Sequence, residues 1–415
     1  MRVCLIFLTK LRFFCGNVLR IGVFFYEKVG HITKTHYLCG VNMYISKGKR
    51  FYFSSKVMGM QQLNSNNNLV IMAGGVGSRF WPMSTEDCPK QFIDVFGTGR
   101  TFLQMTYDRF KGLVAPENVW VVTSQKYADM VAEQLPEIPK GNILQEPCRR
   151  NTAPCIAYVG WRIKSKNPKA NLVITPSDHL VTDVVEFQRV ISSALAFTAE
   201  TDAIVTLGMN PTRPETGYGY IQADLQVPSL RNKEIYRVYS FKEKPDLATA
   251  KEYLKSKEFF WNSGIFVWNV STIVNSFRIY EPEIANIFEG LMPVFGTERE
   301  QAAIDEKFPQ CPSISIDYAV MERADEIFVF PADFGWSDVG TWGSLHTLLQ
   351  KDTNGNSSVG QKVKLIESKN CVVHTTEERR VVIQGLDGYI VAEKNGTLLV
   401  CKLADEQRIK EFSAE

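Results

Sequence analysis

The residues with the most evident chemical capacity lie in one stretch, Gly74–Phe92, which reads GGVGSRFWPMSTEDCPKQF. Glycines placed directly after an apolar, strand-like run let the backbone approach a phosphate chain closely. The amide N–H groups of Ala73, Gly74, Gly75, Gly77 and Ser78 can then face its oxygens. The stretch is not the dinucleotide fingerprint, because counting from Gly75 the sixth position is Phe80 and not Gly. Nor is it a P-loop, since no Gly-Lys-Ser/Thr follows. Two cations, Arg79 and Lys90, set it apart from a bare structural turn. A triphosphate undergoing substitution needs such charges on the oxygens where negative charge accumulates as pyrophosphate leaves. Taken alone, Lys90 would read as a solvated surface lysine, as most lysines are.

The same segment resembles the signature of the sugar-nucleotide pyrophosphorylases, and its Trp81-Pro82 and Pro89-Lys90-Gln91-Phe92 are similar to the mannose-1-phosphate guanylyltransferase branch of that family. Further matches follow in order: Glu146-Pro147 with Arg150-Asn151-Thr152-Ala153-Pro154, Pro176-Ser177-Asp178-His179, Glu215–Ile221, Phe241 with Glu243-Lys244-Pro245, Trp261–Phe266, and Gly335–Trp342. Together they cover residues 69 to 345. Ser78 stands where the family usually has Thr, and Phe80 where it usually has Leu; neither departure removes a charged group.

The resemblance implies roles that elementary chemistry can weigh. Arg79 and Lys90 would serve the triphosphate. Asp178, after the strand-like Val173-Ile174-Thr175, would sit where ligands meet an open α/β sheet. With Asp338 it would supply two carboxylates for Mg²⁺, a hard cation held by oxygen donors. Without the other motifs, Asp178 would read as a turn or capping residue. His179 reads as a packed or hydrogen-bonding neighbour, since imidazole suits Mg²⁺ poorly. Lys244 would reach the sugar phosphate, Glu243 and Asn262 the sugar hydroxyls, and Gly217 and Gly219 would let the backbone come close to the sugar. Tyr218 and Tyr220 read as core. Asn151 and Thr152 would lie near the base, with helix capping as the plain alternative. The implied reaction transfers GMP from GTP to mannose 1-phosphate by in-line attack on the α-phosphorus, with no covalent intermediate. The attacking phosphate is already ionised, so positioning and charge neutralisation suffice. Three alternatives stay open: a relative using another base or sugar, a non-catalytic sensor of sugar nucleotides, and a bifunctional enzyme with an added isomerase domain. The intact charged set speaks against the sensor, and the 70 residues after Leu345 leave little room for the added domain.

The elements that must position these residues follow from apolar periodicity. Leu69–Met72 opens into the glycine turn, and similar runs recur at Val119–Thr123, Asn171–Thr175 and Ala203–Gly208. Between them, 101–113, 127–135, 153–164 and 186–199 carry helical spacing. Strands alternating with helices imply an α/β fold, a doubly wound, mainly parallel, Rossmann-like sheet over residues 66–345. From about residue 212, Gly- and aromatic-rich loops suggest an insertion lying over the sheet to close a pocket. Residues 346–415 read as a small β-rich domain, with a short left-handed β-helix as the form considered for it, although no clean hexapeptide repeat marks one. It is also the surface through which a homo-oligomer would form.

Composition excludes several classes. The 415 residues carry 47 bases and 45 acids, but residues 1–57 hold ten Lys/Arg against the single acid Glu27. The remaining chain is therefore left with 37 bases against 44 acids, and a mildly acidic body argues against nucleic acid as a partner. Nine cysteines without CxxC spacing suit reduced thiols and a cytoplasmic setting. No apolar run approaches the roughly 20 residues of a membrane helix. Residues 1–57 match no family motif and read as a basic extension, disordered or arising from a mis-assigned start ahead of Met58 or Met60.

Overall fold

The computed structural model describes residues 63–375 and 379–414, together with four short strands nearer the amino terminus. Those four are β1 (Phe14–Cys15), β2 (Val18–Leu19), β3 (Phe24–Val29) and β4 (Ile32–Tyr37), paired antiparallel as β1–β2 and β3–β4. The rest of residues 1–57, and the reading of that segment as a disordered or mis-assigned extension, lie outside the described residues. Residues 63–415 form one compact unit. Among the described residues, no helix is long and apolar enough to cross a membrane.

A nine-stranded sheet organises this unit. Its strands are β5 (Asn67–Met72), β6 (Val119–Ser124), β7 (Ile143–Glu146), β8 (Asn171–Pro176), β10 (Ile204–Met209), β11 (Tyr220–Pro228), β12 (Tyr236–Lys242), β13 (Phe259–Asn269) and β14 (Ile327–Ala332); the two-residue β9 (Leu180–Val181) lies outside it. The order is β10-β14-β12-β11-β13-β8-β5-β6-β7, with a further β10–β13 pairing. Following the pair directions, only β12 and β13 run against the other seven, so the sheet is mainly parallel.

Both faces are covered, which explains the continuous apolar runs: with a two-residue period, each strand must be apolar on both sides. Val70, Trp120, Val122, Leu172 and Ile174 face one core, while Leu69, Ile71, Val119, Val121 and Val173 face the other. The first core is closed by α3 (Thr152–Lys166), α6 (Val270–Tyr280), α7 (Pro282–Leu291) and α8 (Glu300–Lys307). The second is closed by α1 (Phe102–Asp108), α2 (Ala128–Gln134), α4 (Val184–Ala199) and α5 (Leu247–Ser256). Side chains mark several starts: Thr101 and Gln104 form a capping box on α1, and Asp183, Asp246 and Asn269 cap α4, α5 and α6.

One expectation is corrected here. The segment after residue 212 does not lie over the sheet: β11, β12 and β13 are hydrogen-bonded into it. The reason is the apolar inward face of these strands, with Tyr220, Ile221, Phe260 and Trp261 all buried.

Past β15 (Trp336–Ser337) and α9 (Trp342–Leu348), short strands take over: β16 (Ser357–Val359), β17 (Val363–Ile366), β18 (Val372–His374), β19 (Val381–Gln384), β20 (Tyr389–Lys394) and β21 (Thr397–Lys402). The pairs β16–β18, β18–β20 and β17–β19 are parallel, so Ser357, Val372 and Ile390 stack in successive rungs as in a β-helical coil, and antiparallel β21 closes one edge. A short α10 (Ile409–Phe412) ends the chain and buries Ile409 beside Phe80 and Trp342.

Candidate active site

The turn after β5 is held open by its own side chains. Gly77 takes φ 71°, a left-handed conformation, and a Cβ there would collide with the Lys90 stem. The Gln91 amide donates to the carbonyls of Ala73 (3.0 Å) and Gly75 (2.9 Å), Thr123 Oγ1 donates to Ala73 (2.9 Å), and the Lys90 amide donates to the Val76 carbonyl. Arg79 projects exposed from the short helical turn Ser78–Phe80 and makes no ion pair among the described residues.

Lys90 is the centre of the arrangement, and it is buried rather than solvated. Its residue exposure is 2%. Burying an ammonium is costly unless it is paired, and here Nζ donates to Asp178 Oδ2 (3.1 Å), the Asp178 carbonyl (3.1 Å) and the Asp338 carbonyl (2.9 Å). The rings of Phe80 and Phe102 flank it at 5.4 and 4.8 Å. All three ammonium protons thus go to the two segments that carry the aspartates.

Those segments come from 160 residues apart and meet through a two-residue ladder: β15 pairs antiparallel with β9, Trp336 opposite Val181 and Ser337 opposite Leu180. Asp338 Oδ1 accepts from the Tyr218 hydroxyl (2.6 Å) and the Gly340 amide (3.1 Å), which leaves Oδ2. Asp178 gives Oδ2 to Lys90 and keeps Oδ1, which lies 3.9 Å from His179 Nε2. Burial pushes the Asp178 carboxyl up, but the Lys90 ammonium, together with His179 and a backbone hydrogen bond, outweighs it and the group ends below its ordinary value. His179 accepts the Trp336 indole N–H at Nδ1 (3.2 Å), and burial lowers its pKa against the pull of Asp178 and Asp338. It is therefore a neutral, packed neighbour.

The residues expected on the sugar side gather next to this centre. The Lys244 amide donates to the Tyr218 carbonyl, and the Asn262 amide donates to the Gly219 carbonyl. A Cβ on Gly219 would lie 2.6 Å from Glu243 Oε2 and 3.4 Å from Asn262 Cβ, so only glycine fits between them. Lys244 pairs with Glu243 while its side chain stays 61% exposed. Gly217 lies exposed on the same loop, its amide held by Glu215. A cleft of about 620 Å³ runs along this edge, lined by Arg213, Glu215, Trp261 and Trp336 but not by Lys90 or Asp178.

Asn151 and Thr152 open α3, and the Asn151 side chain caps the Thr152 amide (2.9 Å). Asn151 has φ 67° and ψ −169°, a region otherwise left to glycine. Lys244 (φ 47°) and Val339 (φ 45°) also have positive φ, and these two unusual non-glycine conformations flank the proposed centre. Strained backbone concentrates where function over-determines geometry.

Three contributors receive no role from sequence, although Gln91 and Glu146 stand in matched motifs. Gln91 clamps the glycine turn, and Tyr218, read as core, places its hydroxyl on Asp338. Glu146 ends β7 with 7% exposure, its Oε2 3.5 Å from where a Gly74 Cβ would be. Its Oε1 finds no hydrogen-bond partner among the described residues, and burial lifts its carboxyl to about 8 despite the Cys155 thiol. The signal for Glu146 was a carboxylate closing an apolar strand.

Known proteins resemble this chain over most of its length. A family model described as nucleotidyl transferase matches residues 68–355. A mannose-1-phosphate guanylyltransferase of Salmonella montevideo is 38% identical over 348 residues, 83% of this chain and 72% of that protein. Mannose-1-phosphate guanylyltransferase 2 of Escherichia coli O157:H7 is 37% identical over 351 residues, with the same shares. A solved protein of Thermus thermophilus, described as a mannose-1-phosphate geranyltransferase, superposes with a TM-score of 0.75 at 32% identity, over 84% of this chain and 98% of that one. The chain belongs to the nucleotidyl transferase family, among the relatives of the mannose-1-phosphate guanylyltransferases.

Proposed function

We propose that the protein transfers GMP from GTP to mannose 1-phosphate, releasing pyrophosphate. The observation that carries the reading is the single ammonium of Lys90, which ties both aspartate-bearing segments together beside a glycine turn. An oxygen of the sugar phosphate attacks the α-phosphorus of GTP in line, the new P–O bond forms, and the bond to the β-phosphate breaks. The amides of Gly74, Gly75, Gly77 and Ser78 and the unpaired Arg79 face the triphosphate. Lys90 keeps Asp178 ionised and fixed. Lys244 leaves Glu243 to meet the sugar phosphate, and Glu243 turns to the sugar hydroxyls with Asn262.

Among the described residues no cluster of three or more His, Cys, Asp or Glu side chains could cage a metal. Two carboxylates with one oxygen each to spare, Asp178 Oδ1 and Asp338 Oδ2, fit Mg²⁺, which takes few protein ligands. When bound there, Mg²⁺ supplies charge neutralisation at the phosphates. Guanine, unlike the other common bases, presents two adjacent N–H donors on one edge, and the Glu146 carboxyl near Gly74, with Oε1 free of a hydrogen bond among the described residues, is our candidate acceptor for that edge. We assign Asn151 and Thr152 to the same nucleotide side.

The test is pyrophosphate release with GTP, ATP, UTP and dTTP, each against mannose 1-phosphate and glucose 1-phosphate. GTP with mannose 1-phosphate is expected to be fastest in kcat/KM. Another pair ahead by about tenfold or more would assign a different base or sugar.

A further inference from the structure

The sugar-side residue Asn262 is held from three directions. Its Oδ1 accepts from Thr206 Oγ1 (3.1 Å) and from the Gly264 amide (3.1 Å), and its Nδ2 donates to Asp317 Oδ1 (3.1 Å). A flipped amide would set its NH₂ against the Gly264 N–H and its carbonyl against a carboxylate. The network therefore fixes the NH₂ on the Asp317 side, with one of its two protons committed and one left to donate. Asp317 thereby decides what Asn262 can offer a ligand.

Asp317 is itself well anchored, and from the opposite substrate's side. It begins a π-helical turn, Asp317–Met321, a conformation that recurs at functional sites. The segment just before it is clasped by the start of α3: the Ala153 amide donates to the Ile314 carbonyl (3.1 Å), and the Ile316 amide donates to Thr152 Oγ1 (2.8 Å). Burial raises the Asp317 carboxyl to about 6, the facing Glu243 charge adds to this, and Lys244 opposes it. Above that pH the group is an ionised acceptor, which makes its hydrogen bond from Asn262 the stronger, charge-assisted kind. No family motif quoted above contains Asp317.

We infer that Asp317 is the positioning residue of the sugar site, acting through Asn262, and that it ties this site to the Asn151–Ala153 turn on the nucleotide side. The inference rests on the functional reading above in taking Asn262 to face the sugar. Its signature is a split between substrates. Asp317→Ala frees the Asn262 amide and is expected to raise KM for the sugar 1-phosphate about tenfold, the scale of one lost hydrogen bond. KM for the nucleoside triphosphate and kcat should change by less than about threefold. Asp317→Asn, which keeps an acceptor oxygen, should restore most of the loss. Thr206→Val, which removes a donor from the other side of the same amide, should move KM in the same direction even if Asp317→Ala folds poorly.

The decisive comparison is the double variant. In an Asn262→Ala background, Asp317→Ala should add almost nothing, because its effect passes through the missing amide. Full additivity, or equal rises in KM for both substrates, would overturn the inference and leave Asp317 a structural residue. Should the wild type prefer another sugar 1-phosphate, the functional reading fails while this one does not. The split is then read with the preferred sugar 1-phosphate, and the same outcomes decide it.

Discussion

At the scale of single residues, the most informative groups are those whose burial forces a partner. Lys90 shows this most plainly: an ammonium with 2% exposure persists only because three oxygens receive its protons. The chemistry expected of the segment was legible from residue type, since glycines and cations after a strand point to phosphate. The placement of Lys90 between two aspartate segments was not, because a lysine in isolation reads as solvated and its partners lie 88 and 248 positions away. Glu146 leads to a pH-dependent prediction. Its carboxyl, held protonated up to about 8 chiefly by burial, must lose that proton to accept both guanine donors. KM for GTP should therefore fall as pH rises through about 8 and then level off. Glu146→Gln should abolish that dependence and raise KM for GTP on the order of tenfold or more, which steady-state kinetics across the pH range would show. A pH profile unchanged by the substitution would remove Glu146 from base recognition.

At the scale of elements, the strands that begin each parallel unit were the readable part. Leu69–Met72, Val119–Thr123, Asn171–Thr175 and Ala203–Gly208 agree with β5, β6, β8 and β10 to within two residues, because strands buried on both faces must be uniformly apolar. β13 was hidden for a local reason: Asn262-Ser263-Gly264 reads as a turn, yet Gly264 (φ 70°) is a kink inside one long strand, where the pairing with β10 shifts register. The β9–β15 ladder was equally illegible, being two residues on each side, and it is the element that brings Asp178 and Asp338 together. Gly335 makes it feasible: φ is 65°, and a Cβ there would overlap Thr182 Oγ1. Gly335→Ala should push the two segments apart, lower the melting temperature by several degrees and reduce turnover by about tenfold or more. Adding Thr182→Ala should recover part of both losses by removing the overlapping oxygen. Recovery of stability without turnover would mean the ladder is not what sets the centre.

At the scale of the whole molecule, the β-rich carboxyl-terminal region is packed onto the segment that carries the glycine turn and Lys90. Phe80, Ile93, Val95 and Phe102 share one core with Trp342, Val372, Ile390 and Leu399. Lys394 donates to the Met83 carbonyl (2.6 Å), and His374 Nε2 donates to the Val95 carbonyl (3.1 Å). Burial depresses the His374 pKa to about 4, against the opposing hydrogen bond to Val95. Because the unfolded chain takes that proton first, stability is expected to fall as pH drops below about 6.5 and to level off below about 4, by about 3 kcal/mol in all. Denaturant titrations of His374→Gln should show a smaller loss between pH 7 and 4 than the wild type; equal losses would place the coupling elsewhere. The central claim is that Asp178 and Asp338 form one charged centre for nucleotidyl transfer. It is tested most directly by Asp178→Asn and Asp338→Asn, each assayed for pyrophosphate release from GTP and mannose 1-phosphate while Mg²⁺ is titrated. The geometry predicts variants that still fold, Asp178→Asn with a lowered melting temperature because the buried Lys90 loses its counter-charge, turnover lower by about a hundredfold or more, and a higher Mg²⁺ requirement for the remaining rate. A folded variant of either kind with full turnover would contradict it.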